Sequence, residues 1–106
     1  MSKRAKYLVK IHQKINNDDL PLLPNQLKKD FPFYQQILAI DPYDTCNLPS
    51  HNLIGKLINC RALEIDWNGM VYRLVYKIYD SPPPKRVLIL SFDQHDPAYN
   101  KAKKRK

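Results

Sequence analysis

The stretch CRALEIDWNGMVYRLVYKIY, residues 60–79, decides the fold. Asn68-Gly69 lies between two apolar-rich runs, Leu57 to Trp67 and Met70 to Tyr79. Asn-Gly suits a two-residue turn in which both central residues take positive φ, so the segment predicts a tight antiparallel hairpin. The turn sets the register: Trp67 faces Met70, Ile65 faces Tyr72, and Leu63 faces Leu74. Side chains alternate along a strand, so these apolar pairs share one face, which must cover helices. The other face then carries Glu64 opposite Arg73, Asp66 opposite Val71 and Ala62 opposite Val75, with Lys77 further along. This second face is expected to be open. Glu64 and Arg73 side by side there make either a solvated cross-strand ion pair or a rigid seat for a phosphodiester.

Working outward, Tyr7 to Ile11 reads as a first strand, with Tyr7, Val9 and Ile11 on one face. Asn17, Asp18 and Asp19 suggest a turn and a helix start. Leu20 to Ile40 has helical spacing but contains Pro21, Pro24 and Pro32. A proline inside a helix costs about 3 kcal/mol, so Pro32 predicts a break between two short helices, near 20–30 and 32–40. Their apolar stripes are Leu20, Leu23 and Leu27, then Phe33, Ile37 and Ile40. Residues 41–55 read as a loop. After the hairpin and Pro82-Pro83-Pro84, Val87 to Phe92 is apolar on both faces and should lie inside the sheet. Asp96-Pro97 fits a helix start, with a short helix from Pro97 to about Lys104. The expected class is α+β: an N-terminal strand, a helical hairpin, a three-strand antiparallel meander and a short C-terminal helix, in one domain over residues 1–106.

The net charge is +8, unevenly spread. Residues 1–14 carry +5, residues 15–44 carry −3, and residues 45–106 carry +6. A basic surface built from both ends and the second half points to a polyanion or an acidic protein. The 43% apolar content excludes a disordered chain, and no apolar run approaches the roughly 20 residues of a membrane span. Met1 to Lys14 lacks the apolar core of a signal peptide, so a cytoplasmic location is expected, without membrane association. Cys46 and Cys60 match no zinc spacing and read as reduced structural thiols. No metal and no cofactor are expected. His12 and His51 read as surface residues.

Three segments together resemble the RelE/ParE toxins of toxin–antitoxin modules. They are Gly55-Lys56-Leu57 leading into Cys60-Arg61-Ala62-Leu63-Glu64-Ile65, then Tyr72-Arg73-Leu74-Val75-Tyr76, and the ending His95-Asp96-Pro97-Ala98-Tyr99 with Lys101-Ala102 and Arg105. Their order covers essentially the whole chain and implies a RelE-like fold. The resemblance further implies a toxin held by a cognate antitoxin protein. RelE-like members cleave mRNA at the ribosome, an mRNA interferase activity, whereas ParE-like members inhibit gyrase without cutting RNA. A degenerate, non-catalytic member is a third alternative.

Metal-free RNA cleavage needs a base, an acid and a cation on the phosphate. The expected catalytic residues are Glu64, Arg73, His95 and Tyr99. Glu64 or His95 would act as base, His95 as acid, Arg73 on the charged transition state, and Tyr99 on a base or the phosphate. Arg61, Lys77, Lys101, Lys103, Lys104 and Arg105 are the expected contacts to mRNA or rRNA. Well-known RelE-like members carry several basic residues on the strand where this chain has only Arg61.

Overall fold

A computed structural model describes residues 6–45 and 48–105, without the side chains of His95 and Asp96; Cys46 lies outside the described residues. Asn68 and Gly69 both take positive φ, 51° and 79°, as a two-residue turn requires. They join β3 (Cys60–Trp67) to β4 (Met70–Tyr79) in the register expected from the turn, including Glu64 opposite Arg73 and Leu63 opposite Leu74. The third meander strand, β5 (Arg86–Gln94), pairs antiparallel with β4. On the far side of β5, β1 (Leu8–Ile11) pairs in parallel. A fifth strand, β2 (Ser50–Asn52), edges β3. The sheet is therefore mixed, in the order β1-β5-β4-β3-β2. β5 is interior, as its apolar run suggested.

Two expectations about the first half fail. The two short helices near 20–30 and 32–40 are instead one helix, α1 (Asn25–Ile40), which runs through Pro32. One π turn (Ile15–Asp19) and one 3₁₀ turn (Leu20–Leu22) precede it. Pro32 is exposed, so the Lys28 carbonyl it cannot serve lies toward water, which lowers the cost of the missing bond. The buried stripe also differs. It is Leu27, Phe31, Tyr34, Ile37 and Leu38, so Leu27 and Ile37 are buried as expected, while Phe33 points outward. Residues 41–55 are not wholly loop, since β2 lies within them. Pro32→Ala should regain the helix bond, less the roughly 0.4–1 kcal/mol by which proline restricts the unfolded chain. A net gain of about 1–2 kcal/mol is expected in urea unfolding, and a lower midpoint would refute it.

α1 and the turns before it pack on the sheet face carrying Leu63, Ile65, Tyr72, Leu74, Tyr76, Val87, Ile89 and Phe92. The opposite face is only partly open, contrary to expectation. A C-terminal helix, α2 (His95–Arg105), folds back over it. Ala98 and Ala102 sit on Cys60, Ala62, Val75 and Leu90, with Leu57 beside them. Their short side chains let the helix lie close to the strands. β5 is irregular opposite Val75 and Tyr76, where Leu90 is the extra residue. The bulge turns Leu90 toward α2 beside Ser91, whose Oγ donates to the Ala98 carbonyl at 2.6 Å.

Candidate active site

Glu64 and Arg73 stand opposite each other on β3 and β4, on the face that α2 only partly covers. Arg73 Nη2 donates to Glu64 Oε1 at 2.8 Å. Tyr99, held over the sheet by its buried neighbour Ala98, accepts from Arg73 Nε at 3.3 Å. The Tyr99 hydroxyl lies 3.5 Å from His51 Nε2, at the outer limit of a hydrogen bond. His51 Nδ1 is 3.9 Å from Glu64 Oε1, which closes the ring of four side chains.

Two strands, a helix and the edge strand β2 thus bring a carboxylate, a guanidinium, a phenol and an imidazole together. Arg73 is largely buried, its side chain 12% exposed, whereas Glu64 and His51 reach solvent at 33% and 44%. A rooted cation with exposed proton-transfer groups around it is the arrangement a phosphodiester needs. Arg73 Nη1 is buried and has no hydrogen-bond partner among the described residues. Asp93 lies opposite Arg73 on β5, but its Oδ2 accepts from Lys101 Nζ at 2.7 Å and its Oδ1 from the Gln94 N–H. Lys101 therefore draws that carboxylate toward itself, and among the described residues Glu64 is the carboxylate paired with Arg73.

Of the four expected catalytic residues, Glu64, Arg73 and Tyr99 meet. His95 begins α2, one turn before Tyr99, and its side chain lies outside the described residues. His51, read from sequence as a plain surface residue, belongs to the cluster. Its neighbours Pro49, Ser50 and Asn52 signal a loop, and a three-residue strand is too short to show alternation. Only the pairing of β2 with β3, His51 opposite Ala62, puts it on the Glu64 face.

The expected nucleic-acid contacts divide. Lys77 shares the Arg73 face, with its Nζ 5.1 Å from the Tyr79 ring centre. Lys103 and Lys104 are exposed on α2. Arg61 is on the opposite face, a consequence of strand alternation, and bonds to Asn52, Ser50 and the Tyr43 carbonyl. Lys101 and Arg105 are not available as expected. Both reach Asp19, whose side chain is fully buried. Arg105 makes two bonds to it, at 2.8 and 3.0 Å, and Lys101 one at 2.9 Å. The Phe92 N–H donates to the same carboxylate at 2.8 Å. Burial works to raise the Asp19 pKa, but the bonds from Arg105, Lys101 and Phe92 outweigh it and hold the carboxyl below its ordinary value. Asp19 thus ends the expected turn and also anchors α2.

Among the described residues, no three His, Cys, Asp or Glu side chains group to hold a metal ion, and no helix is long and apolar enough to cross a membrane. Scans against protein-family models, curated proteins and solved structures return no match to this chain.

Proposed function

We propose that the protein is a RelE-like toxin of a toxin–antitoxin module, an endoribonuclease that cleaves mRNA on the ribosome without a metal. The observation that carries this is the ring of Glu64, Arg73, Tyr99 and His51 on one face. The motif resemblance to RelE/ParE toxins supports it, as does the strand order with a parallel first strand beside a meander. The natural setting is the cytoplasm, with a cognate antitoxin as protein partner.

In the proposed reaction Glu64 takes the proton of a ribose 2′-hydroxyl. The 2′-oxygen attacks the adjacent phosphorus and the bond to the 5′-oxygen breaks, leaving a 2′,3′-cyclic phosphate and a 5′-hydroxyl. Arg73 holds the phosphate oxygens as charge grows on them, because its planar fork matches their spacing. Tyr99 orients the phosphate through its hydroxyl. The leaving 5′-oxygen takes its proton from an imidazole, the side chain suited to proton exchange near neutrality. His51 fills that role, since it lies on both Tyr99 and Glu64.

The test is to express the chain and map the 5′ ends of cellular messages. New ends should appear with the wild type, and His51→Ala should slow their formation about 100-fold. Growth arrest with intact messages would refute the proposal. DNA damage in those intact-message cells would indicate the gyrase-directed activity of ParE-like toxins instead.

A further inference from the structure

Beyond Val75, where α2 packs, the sheet face that carries Arg73 continues into a second cluster of side chains. The register assembles it. Lys10 of β1 pairs with Leu88 of β5, and Leu88 pairs with Lys77 of β4. In the next row Leu8 pairs with Arg86, and Arg86 with Tyr79. Lys77 and Tyr79 follow Arg73 at even spacing along β4, so both rows share its face. Three cations from three strands therefore stand on one side of the sheet. Between them lies an apolar and aromatic floor of Leu8, Tyr79 and Leu88. A cavity of about 240 Å³ opens among Lys10, Tyr79, Arg86 and Leu88.

The cations are positioned without being neutralised. Arg86 Nη1 donates to the Pro82 carbonyl at 3.0 Å and the Pro84 carbonyl at 3.2 Å. Its guanidinium lies 4.6 Å from the centre of the Tyr79 ring, and Lys77 Nζ lies 5.1 Å from the same ring. Carbonyls and a ring face hold a cation in place and leave its charge for a partner. Lys10 is exposed. Among the described residues none of the ion pairs involves Lys10, Lys77 or Arg86. Asp80, the acid that follows β4, turns to the α1 side of the sheet. Its oxygens accept there from the Tyr7 and Tyr43 hydroxyls, and its charge faces Lys85.

We propose that this cluster is a second RNA-contact surface, with Lys10, Lys77 and Arg86 on phosphates and Leu8, Tyr79 and Leu88 beneath the bases. The cationic seat stands on its own geometry. The choice of RNA over another polyanion rests on the message-cleaving function proposed above. Lys77 is four residues from Arg73 on β4, about 13 Å at the rise of a strand. That is a span of about four stacked nucleotides. α2, which lies between them, exposes Lys103 and Lys104 to the same strand of RNA. The cluster thus adds affinity at a distance from the bond that is cut.

The experiment measures binding of the full chain to a short single-stranded 2′-O-methyl RNA, which cannot be cleaved, by fluorescence anisotropy over a series of salt concentrations. Each phosphate neutralised on a single strand contributes about 0.7 to the slope of log affinity against log salt. Combining Lys10→Gln, Lys77→Gln and Arg86→Gln should lower that slope by about 2 and weaken binding by about 10- to 50-fold near physiological salt. Lys10→Gln alone should weaken it about fourfold. This exposed single change keeps the test decisive should the triple variant lose its fold in a thermal melt. Lys28→Gln with Lys29→Gln, on α1 across the sheet, should leave the affinity within about twofold. Absence of RNA binding, or an unchanged affinity and slope in the triple and Lys10 variants, overturns the proposal. So does an equal loss in the α1 variant, which would reduce the effect to net charge. Binding of poly-glutamate or of anionic lipid vesicles as tight as that of RNA, and lost in the same variants, overturns it in favour of an acidic protein or a membrane. Because nothing is cleaved in this assay, its failure is separate from failure of the message-cleavage test.

Discussion

Arg73→Ala should reduce mRNA cleavage by two to three orders of magnitude while the protein remains folded. Loss of one preorganised donor to a developing oxyanion costs about 100- to 1,000-fold in rate. Arg73 supplies more than one such donor, since Nε and Nη2 are already aimed along the Tyr99 and Glu64 side of the site. The cost to the fold is small by comparison. Glu64, left without its partner, is one-third exposed and can be hydrated. Arg73→Lys should recover little, because a point charge on a flexible stem replaces a planar fork that reaches two partners at once. Initial rates on a ribosome-bound message, with a thermal melt of each variant, check this. Cleavage by Arg73→Ala within tenfold of wild type would remove Arg73 from the chemistry.

Asp19→Ala should destabilise the protein by about 3–5 kcal/mol, the cost of removing one partner of a buried ion pair. Lys101 and Arg105 both end on this carboxylate, and the Arg105 side chain is only 8% exposed. Among the described residues of α2, only Ala98 and Ala102 have fully buried side chains, so its ion pairs carry much of its hold on the sheet. A loss of this size is a large part of the roughly 5–15 kcal/mol of an ordinary domain. The variant should therefore release α2, and with it Tyr99, before the sheet unfolds. Hydrogen exchange should show α2 amides losing protection first. A urea midpoint equivalent to less than about 1 kcal/mol of loss would refute the anchoring role.

The same carboxylate makes stability depend on acid. Its pKa is lowered in the folded state, so its contribution is fully present above the ordinary value of 3.8. It is lost as pH falls through the lower folded-state value. Lys101 works in the opposite direction. Burial pulls its pKa down, but the bonds to Asp93 and Asp19 raise it overall above 10.5. Its contribution is complete below that value and is lost as pH rises beyond it. Asp19→Asn should flatten the acid side of the stability curve.

The hairpin was legible because its determinants are local. Asn68-Gly69 specifies the turn, the turn specifies the register, and the register places Glu64 against Arg73. α1 misled for an equally local reason. Pro32 forbids one hydrogen bond wherever it stands, but the cost depends on which way the helix faces, and here it faces water. His51 was not visible as a site residue because its strand has three members and borrows its order from β3. The turn at Asp19 was legible but its role as a counter-ion was not, because an Asn-Asn-Asp-Asp run looks the same whether it turns in solvent or plugs two cations.

Residues 60–79 by themselves determined the antiparallel hairpin and the side-by-side carboxylate and guanidinium, because a tight turn and a two-residue alternation leave no freedom in the pairing. Residues far apart in the chain decided the rest. The bonds of Lys101 and Arg105 to Asp19, more than 80 positions away, fold α2 over the supposedly open face and bring Tyr99 to Arg73. The pairing of β2 with β3 adds His51. Neither contact has a local signature, since ion pairs and strand pairs between distant segments depend on where the chain brings them, and only the folded core sets that.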